Sequence, residues 1–310
     1  MEEKIEIMNL LQNKQVLEHK LQTLAYGSVE IRENNSNKYI YVHYREDGVA
    51  LTKYVGEYSD ELYNLVLNNS IKAKQLKRQI REITKKLKKL NYTEEELSEK
   101  VEQNIDFAKR HLVDTIYKQA ILEGVATTFA DTESIIEGGK VNNMTSEDIL
   151  KIVNLKHAWE FILNKNVILS DTNFALLCEI NKMVEEGFYY TAGKVRNTPV
   201  TIGGTTWKPD LPIESVIKEE LEKIFSKELD DIDRAIELLL YTMKKQVFID
   251  GNKRTAVIYS NHYLISKGKG IIAIPAELTE EFKDLLIPYY EGRDEKEIKK
   301  FIKEKCYMSI

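Results

Sequence analysis

The sequence predicts a mainly α-helical protein, in which a helical C-terminal domain follows a small α+β N-terminal region. Apolar residues recur at helical spacing over most of the chain after Thr93, whereas alternation with a period of two stands out between Gly27 and Tyr58. The composition fits a folded chain, with 43% of its 310 residues hydrophobic, 31% charged, and only 14 glycines and 5 prolines. We predict two domains, residues 1–92 and 93–310.

Several classes of protein are excluded by charge and cysteine content. A net charge of −5 gives no global attraction to nucleic acid or anionic lipid. Cys178 and Cys306 are far apart, and with only five histidines they predict neither a disulfide framework nor a zinc site. The first residues are acidic where a signal peptide is basic, and no apolar run approaches the roughly 18 residues of a membrane span. We expect a cytoplasmic protein without a membrane partner.

The N-terminal region begins with a helix, because leucines and isoleucines recur at loosely helical spacing up to about Leu24. Tyrosine-rich segments that alternate with polar residues follow from Gly27, separated by turn residues around Asn35 and Asp47. They predict a small antiparallel sheet. Helical spacing then returns from Asp60 to about Leu90 and predicts a long amphipathic helix.

This long helix is strongly basic. Between Lys72 and Lys89 it carries nine lysines or arginines and one acid, Glu82, a local excess of eight positive charges. Such a face is typical of proteins that follow the phosphates of a nucleic acid. The alternative is a solvated face that pairs with the acidic run at 94–96. We favour the solvated face, because no groove-reading motif accompanies the charges.

The C-terminal domain is predicted to be helical with one interruption. Thr145, Ser146 and Asp171 precede helical segments and are expected as N-caps. Residues 193–212 hold three of the five prolines around a short VTI segment, which predicts a hairpin or exposed loop inside the helical domain. Loops on a rigid scaffold are common binding sites.

The stretch from Gln246 to Ala256, QVFIDGNKRTA, lies between two predicted helices and concentrates the chemistry. Gly251 permits a tight turn, and the free N–H groups at the start of the next helix can bind an anion. Lys253 and Arg254 add positive charge there, while Asp250 is a suitable oxygen ligand for Mg²⁺. The alternative is a capped turn whose charges face water. Four phosphate-compatible residues in five positions favour a site for a metal-bound polyphosphate.

This stretch resembles the motif HxFx(D/E)GN(G/K)R of the Fic (Fido-domain) family. The residues that match in order and spacing are Phe248, Asp250, Gly251, Asn252, Lys253 and Arg254. The segment GKVRNTPVTIGGTTWKP from Gly193 is similar to the family's flap, and TESIIEGG at 132–139 is similar to its inhibitory-helix motif (S/T)xxxE(G/N). The resemblance covers roughly residues 115–305 and implies a Fic-type helical bundle with a β-hairpin flap.

The resemblance also implies an activity, the transfer of AMP from ATP to a protein hydroxyl with Mg²⁺. Asp250 would hold the metal, Gly251 and Asn252 would cradle the phosphate under attack, and Arg254 would neutralise the β or γ phosphate. Phe248 would anchor the loop, and Lys253 would also contact the nucleotide. The flap would dock a protein substrate by strand addition through Thr198, Val200, Thr201, Ile202 and Gly203. Glu137 would be the inhibitory carboxylate near the γ-phosphate.

Three departures from the family pattern alter these implications. Gln246 stands where the family has the histidine that accepts the hydroxyl proton, and a carboxamide cannot act as a general base. Lys253 stands where AMP-transferring members usually have glycine. A lysine at this position resembles the Doc branch of the family, whose members transfer phosphate. Val257 stands where many members have the arginine that pairs with the inhibitory glutamate. TESIIEGG is therefore either an inhibitory motif or a helix end stopped by glycines.

We therefore predict a Fic protein whose AMP transfer is slow or altered because of Gln246, together with two alternatives. One is phosphate transfer of the Doc kind, and the other is an inactive nucleotide- or peptide-binding protein. Loss of a general base commonly lowers a rate by roughly 10²–10⁴. His262 does not replace the missing base, since it lies more than two helical turns beyond Arg254. We expect it to be a packed or solvated helix residue.

Overall fold

The computed structural model describes residues 2–34, 37–46, 49–90, 92, 97–142, 144–293 and 295–310. Their contacts divide the chain into two compact units, 1–95 and 96–310, and the predicted boundary at 92/93 adjoins residues 93–96, which lie outside the described part. Within the described ranges, no helix combines the length and the apolar character needed to cross a membrane.

The N-terminal unit consists of two helices and a three-stranded antiparallel sheet with the order β1-β2-β3. Its elements are α1 Glu2–Thr23, β1 Ser28–Asn34, β2 Asn37–Glu46, β3 Val49–Glu57 and α2 Asp60–Lys89. The predicted sequence of helix, small sheet and long helix is confirmed. Ile40 and Val42 of β2 are fully buried and pack with Val66 of α2. Ser59 caps α2 by accepting a hydrogen bond from the N–H of Leu62.

The basic half of α2 is largely solvated in this unit. Eight of its nine basic residues are exposed, and Lys77, half-buried, lies 4.7 Å from the ring centroid of Tyr26. Arg78 pairs with Glu82 one turn further along at 3.2 Å. The acidic run at 94–96, which we had considered as a partner, lies outside the described residues. Whether this face binds nucleic acid stays a prediction.

The C-terminal unit is a helical bundle, as predicted. Its helices are α3 Glu99–Arg110, α4 Leu112–Leu122, α5 Phe129–Ile136, α6 Ser146–Ile162, α7 Lys165–Ile168, α8 Phe174–Val184, α9 Glu214–Ser226, α10 Asp231–Lys245, α11 Asn252–Ser266, α12 Thr279–Tyr290 and α13 Lys296–Phe301. A two-stranded antiparallel pair, β4 Ile271–Ile272 with β5 Tyr307–Met308, closes the unit near its C-terminal end.

Helix α11 is the central element of this bundle. It packs against α10, α8, α6 and α3, and nearly all of its side chains are buried. A helix that is buried on all sides is held in place by its neighbours rather than by one apolar stripe. The loop before α11 and the first turn of α11 are therefore fixed relative to α4, α8 and α10, which supply the surrounding side chains.

Helix caps agree with the sequence at one of three predicted positions, since Ser146 is the first residue of α6 and not its cap. Thr145 caps α6 by accepting from the N–H of Asp148, as predicted. Asp171 was expected to cap α8, and this expectation was wrong. Asn173 is the N-cap instead, and its side chain accepts from the N–H of Leu176 at 3.0 Å. The helix begins two residues later than the pattern suggested, and asparagine is an equally good cap there.

The flap is a loop, which is one of the two forms that its sequence left open, and not the β-hairpin that the family resemblance implies. Residues 195–213 contain no strand, and the segment turns at Gly203 and Gly204. Pro199 has no N–H to contribute to a ladder. The guanidinium of Arg196 holds the two arms together instead, donating to the oxygens of Thr198 and Asp210, each at 2.7 Å. The buried side chain of Arg196 thus connects the two arms at the base of the flap, as strand pairing would in a hairpin.

Candidate functional site

The loop between α10 and α11 carries the motif residues, and its shape is set by one asparagine. Asn252 is buried; its Oδ1 accepts from the N–H of Phe248 at 3.0 Å, and its Nδ2 donates to the oxygen of Phe248 at 2.8 Å. The ring of Phe248 is buried in the core. The buried ring of Phe248 and the Asn252 amide together hold the loop closed.

Gln246 ends α10 in a left-handed conformation, with φ 49° and ψ 57°. Within the described residues it is the only non-glycine with positive φ, and this conformation costs about 1–2 kcal/mol for such a residue. Its amide is engaged on both sides. Nε2 donates to the oxygen of Met243 at 2.6 Å, and Oε1 accepts from Asn252 at 3.2 Å.

The first turn of α11 has the features of an anion site. Gly251 is the N-cap with φ 72° and offers no side-chain cap, so the N–H groups of this turn are left for a ligand or water. Arg254, one turn into the helix, is buried, and its Nε and Nη1 have no hydrogen-bond partner in the described part of the chain. Unpartnered buried guanidinium donors are costly unless an anion accepts them.

Carboxylates from three different elements surround Arg254. Glu185, at the end of α8, contacts Nη2 at 2.7 Å; Glu123, at the end of α4, lies 3.7 Å from Nε; and Asp250 lies 3.7 Å from Nη2. Glu123 also lies 3.4 Å from the ammonium of Lys253. The pKa of Glu185 rises to about 7 because burial penalises its charged form; Arg254 acts in the opposite direction.

Asp250 is placed to serve as a metal ligand. Its side chain is 50% exposed, and its Oδ1 accepts from the N–H of Gly251 at 2.7 Å. No cluster of three or more ligating side chains exists in the described ranges. A Mg²⁺ ion, which keeps waters and uses few carboxylates when it is bound with phosphates, suits a single exposed aspartate. The residues therefore fit Mg²⁺ only together with a phosphate ligand.

Two buried amides that we did not single out in the sequence support this loop. Asn181 of α8 donates to the oxygen of Asp250 at 3.0 Å and accepts from the N–H of Gly193 at 2.9 Å, so that it joins the loop to the start of the flap. Gln119 of α4 donates to the oxygen of Arg254 at 2.7 Å and accepts from Trp159 at 3.0 Å. Their sequence signal is weak, since each is one polar residue in an apolar helix.

The flap rests on α12. Thr205 donates to Glu291 at 2.7 Å, and the ring of Trp207 stacks on Tyr290 with centroids 5.7 Å apart. Along the predicted docking segment, Val200 and Ile202 are half-buried, whereas Thr201 and Gly203 are exposed. Thr198, also exposed, precedes them. In the part of the chain that the structure describes, no backbone group of residues 199–204 has a hydrogen-bond partner.

Glu137 lies apart from the carboxylates that face Arg254. It is exposed and forms the C-cap of α5, just before Gly138, which has φ 79°. Among the described residues, the ion-pair partners of Arg254 are Glu123, Glu185 and Asp250. The geometry of residues 132–139 is that of a helix ended by glycine, and an inhibitory role for Glu137 stays a prediction.

His262 is fully buried in α11, as a packed residue. Its ring nitrogens lie 2.8 Å from Thr172 Oγ1 and 2.8 Å from the oxygen of Val167. Burial lowers its pKa to about 4. It therefore contributes to packing between α11 and α7 and has no access to a substrate hydroxyl.

Comparison with known proteins agrees with this architecture. Residues 171–264 match the family model described as the Fic/DOC family. This is narrower than the range 115–305 over which the sequence resembles the family, and it spans the flap, the motif loop and most of α11. No curated protein sequence matches the chain significantly.

Solved structures of Fic proteins share the fold. Fic-1 from C. elegans has a TM-score of 0.53 and 17% identity, with 79% of this chain and 73% of that chain covered. A Fic domain containing signaling protein from Bacteroides thetaiotaomicron VPI-5482 has a TM-score of 0.51 and 19% identity, with 61% and 75% covered. A Fic family protein from Desulfovibrio desulfuricans G20 has a TM-score of 0.52 and 12% identity, with 68% and 74% covered. Residues 171–264 are therefore similar to the Fic/DOC family, and the chain shares the fold of these Fic structures.

Proposed function

We propose that this chain binds Mg-ATP at the start of α11 and transfers AMP to a hydroxyl of a protein segment docked on the flap. In this reaction the hydroxyl oxygen forms a bond to the α-phosphorus. The bond between the α-phosphorus and the oxygen that bridges to the β-phosphate breaks, and pyrophosphate leaves. Gln246 cannot accept the hydroxyl proton, which passes to solvent, so we expect a slow reaction.

The observation that carries this proposal is the state of Arg254. It is a buried arginine on the first turn of α11, and two of its donors have no partner among the described residues. The first turn of α11, which follows Gly251, adds backbone N–H groups without a side-chain cap in the described part of the chain, together with the positive end of the helix dipole. Charge-assisted hydrogen bonds to phosphate would satisfy these donors.

The supporting groups have separate roles in this proposal. Asp250 would hold Mg²⁺, which neutralises phosphate charge when it is bound. The Asn252 amide is used in closing the loop, so it acts on the nucleotide through the shape of the turn. The free backbone of residues 199–204 can pair with an extended protein segment by strand addition, and the alternating side chains would supply contacts on one face.

One observation favours a second candidate, a protein that binds nucleotide or peptide without turnover. Both polar atoms of the Gln246 amide are engaged, with Met243 and Asn252. The side chain is therefore not free to orient a substrate hydroxyl in this arrangement. Phosphate transfer of the Doc kind remains the other alternative; it rests on Lys253, whose ammonium lies 3.4 Å from Glu123.

Isothermal titration with Mg-ATP and Mg-ADP tests the shared binding site. We expect binding to the natural protein and at least about a tenfold loss in Arg254→Ala, since a hydrogen-bonded charge contributes about 1.5–3 kcal/mol. Arg110→Ala is the matched control, because Arg110 is exposed on α3 of the same unit. Equal binding by both variants, or none by the natural protein, would contradict the proposal.

Intact-mass measurement after incubation with ATP then separates transfer from binding alone. The mass of an adenylyl group on the chain or on an added target protein supports AMP transfer, and the mass of a phosphate supports the Doc-like alternative. Binding of Mg-ATP without either mass change supports the second candidate.

A further inference from the structure

Glu185 lies directly against the turn at which we propose phosphate binds. Its carboxylate is buried, with 2% of the side chain exposed. A Cβ on Gly251 would clash with its Oε1, so that oxygen faces the α-carbon of Gly251. The same oxygen is 2.7 Å from Nη2 of Arg254. The carboxylate therefore contacts both parts of the anion site, the turn and the guanidinium.

The adjacent carboxylate, Glu186, has a different environment. It is exposed, whereas Glu185 is buried. The two residues have the same charge and are neighbours in the chain, yet only Glu185 has its carboxylate at Arg254. If removing the charge of Glu185 changes ligand binding and removing that of Glu186 does not, the difference must come from the buried position of Glu185 beside Arg254.

The side-chain charges that pair directly at the turn are negative in sum when all are ionised. The positive charges are those of Arg254 and Lys253. The negative charges, when ionised, are those of Glu185, Glu123 and Asp250. Each of these five groups lies within 4 Å of at least one group of opposite charge. Lys151 and Tyr189 face Glu185 from further away. A polyphosphate without a counter-ion would meet net repulsion at this turn, although the helix end itself favours anions.

Glu185 and a phosphate would also share one guanidinium, since Glu185 contacts Nη2 of Arg254 and the unpartnered Nε and Nη1 are left for phosphate. A carboxylate and a phosphate oxygen both bind a guanidinium through charge-assisted hydrogen bonds. Because Glu185 is buried, little water compensates its negative charge, and a second anion on the same guanidinium would leave the pair of anions under-compensated, which is costly. A nucleotide must therefore compensate for this cost, and a divalent cation on its phosphates would do so by supplying positive charge at the same place.

We propose that Glu185 is a specificity-determining residue, whose carboxylate shares the positive charge of Arg254 with phosphate, repels metal-free phosphate and thereby restricts the site to metal-bound nucleotide. The inference rests on the proposed binding of Mg-ATP at α11 and concerns the charge selectivity of that same site. It is separate from Glu137, which is exposed and has no ion pair with Arg254. Glu185 acts here on binding, and no step of the transfer is assigned to it.

Titration of the natural full-length protein provides a test without any substitution. Affinity is measured for ATP with excess Mg²⁺ and for ATP in EDTA. We expect Mg-ATP to bind at least about 100-fold more tightly than metal-free ATP, since each factor of ten corresponds to about 1.4 kcal/mol. Equal affinities for the two forms would overturn the inference while leaving the proposed nucleotide site intact.

Glu185→Gln removes the charge and keeps the shape of the side chain. We expect this variant to raise the affinity for metal-free ATP by about tenfold or more. The ratio of the affinity for Mg-ATP to the affinity for metal-free ATP should therefore decrease. Glu186→Gln, the matched control, should change neither affinity. Glu185→Met provides a second charge-free variant, and circular dichroism shows whether each variant folds.

The outcomes separate the two proposals. A Glu185→Gln variant that binds metal-free ATP equally or more weakly overturns the inference, because Glu185 would then hold Arg254 in place for phosphate. If neither form of ATP binds to the natural protein or to any variant, the proposed function fails, and the inference fails with it.

Discussion

The Nε of Arg196 donates to the backbone oxygen of Gln246 at 2.6 Å, and this bond joins the base of the flap to the first residue of the motif loop. The backbone N–H of Arg196 also donates, to the oxygen of Val247 at 3.0 Å. Arg196 is buried, and desolvation lowers its pKa. The position of the flap and the position of the loop are thus held by one side chain that binds carbonyl groups.

Replacing Arg196 should therefore affect stability and the flap together. Arg196→Lys keeps the charge but loses the planar set of donors that reaches the oxygens of Gln246, Thr198 and Asp210. We expect a loss of about 2–4 kcal/mol in the free energy of unfolding, measured with urea. Proteolytic cleavage within residues 197–211 should become faster. Arg110→Lys on the surface serves as the control; an unchanged cleavage rate in Arg196→Lys would contradict the assigned role.

Restoring a histidine at position 246 should increase transfer. Gln246→His supplies the missing proton acceptor, and a general base is commonly responsible for a factor of roughly 10²–10⁴ in rate. We expect a rise in adenylyl transfer of about 100-fold or more, measured by intact mass over time with ATP and Mg²⁺. Gln246→Asn, which has no titratable nitrogen, should show no such rise. If Gln246→His shows no more transfer than the natural protein, the missing general base is not what limits transfer.

Asn252 is predicted to act on binding through loop shape. Asn252→Asp keeps the acceptor for the N–H of Phe248 but loses the donors to Phe248 and Gln246. It also adds a negative charge at the anion site. We expect about 1–3 kcal/mol less stability toward urea and weaker binding of Mg-ATP by titration. Asn252→Ala separates the two effects, since it lacks the added charge. Full stability in both variants would show that the loop does not depend on this amide.

His262 should make stability depend on pH. Its pKa is lowered to about 4 in the folded protein, because burial disfavours the charged ring. The unfolded chain therefore takes up a proton near pH 6.5 that the folded chain refuses, and the free energy of unfolding falls as pH drops from about 7 toward 4. Between about pH 7.5 and pH 5 this group alone should contribute a loss of about 2 kcal/mol.

The measurement is urea unfolding of the natural protein and of His262→Gln at both pH values. Because other histidines and carboxylates titrate in the same range, the difference between the two proteins isolates the contribution of His262. The variant should be less stable at neutral pH but should lose less stability on acidification. Equal losses in both proteins would contradict a buried neutral histidine.

The sequence predicted the helical bundle, the N-terminal helix, sheet and long helix, and the family, because periodicity and motif spacing are local properties of the chain. It was less successful where a tertiary partner decides. The family resemblance implied a hairpin for the flap, but Arg196 replaces strand pairing at its base. The α8 cap was assigned to Asp171, whereas Asn173 two residues later caps the helix.

The sequence by itself determined which residues form the loop before α11, since the order Phe248, Asp250 to Arg254 and the change of Gln246 are visible in it. Only the tertiary structure decided which charges meet there. In the neighbouring pair Glu185 and Glu186, one carboxylate is buried at Arg254 and the other is exposed. Sequence patterns report the period of a helix, whereas the packing of α8 and α4 against α11 determines which distant side chains share a low-dielectric site with the arginine.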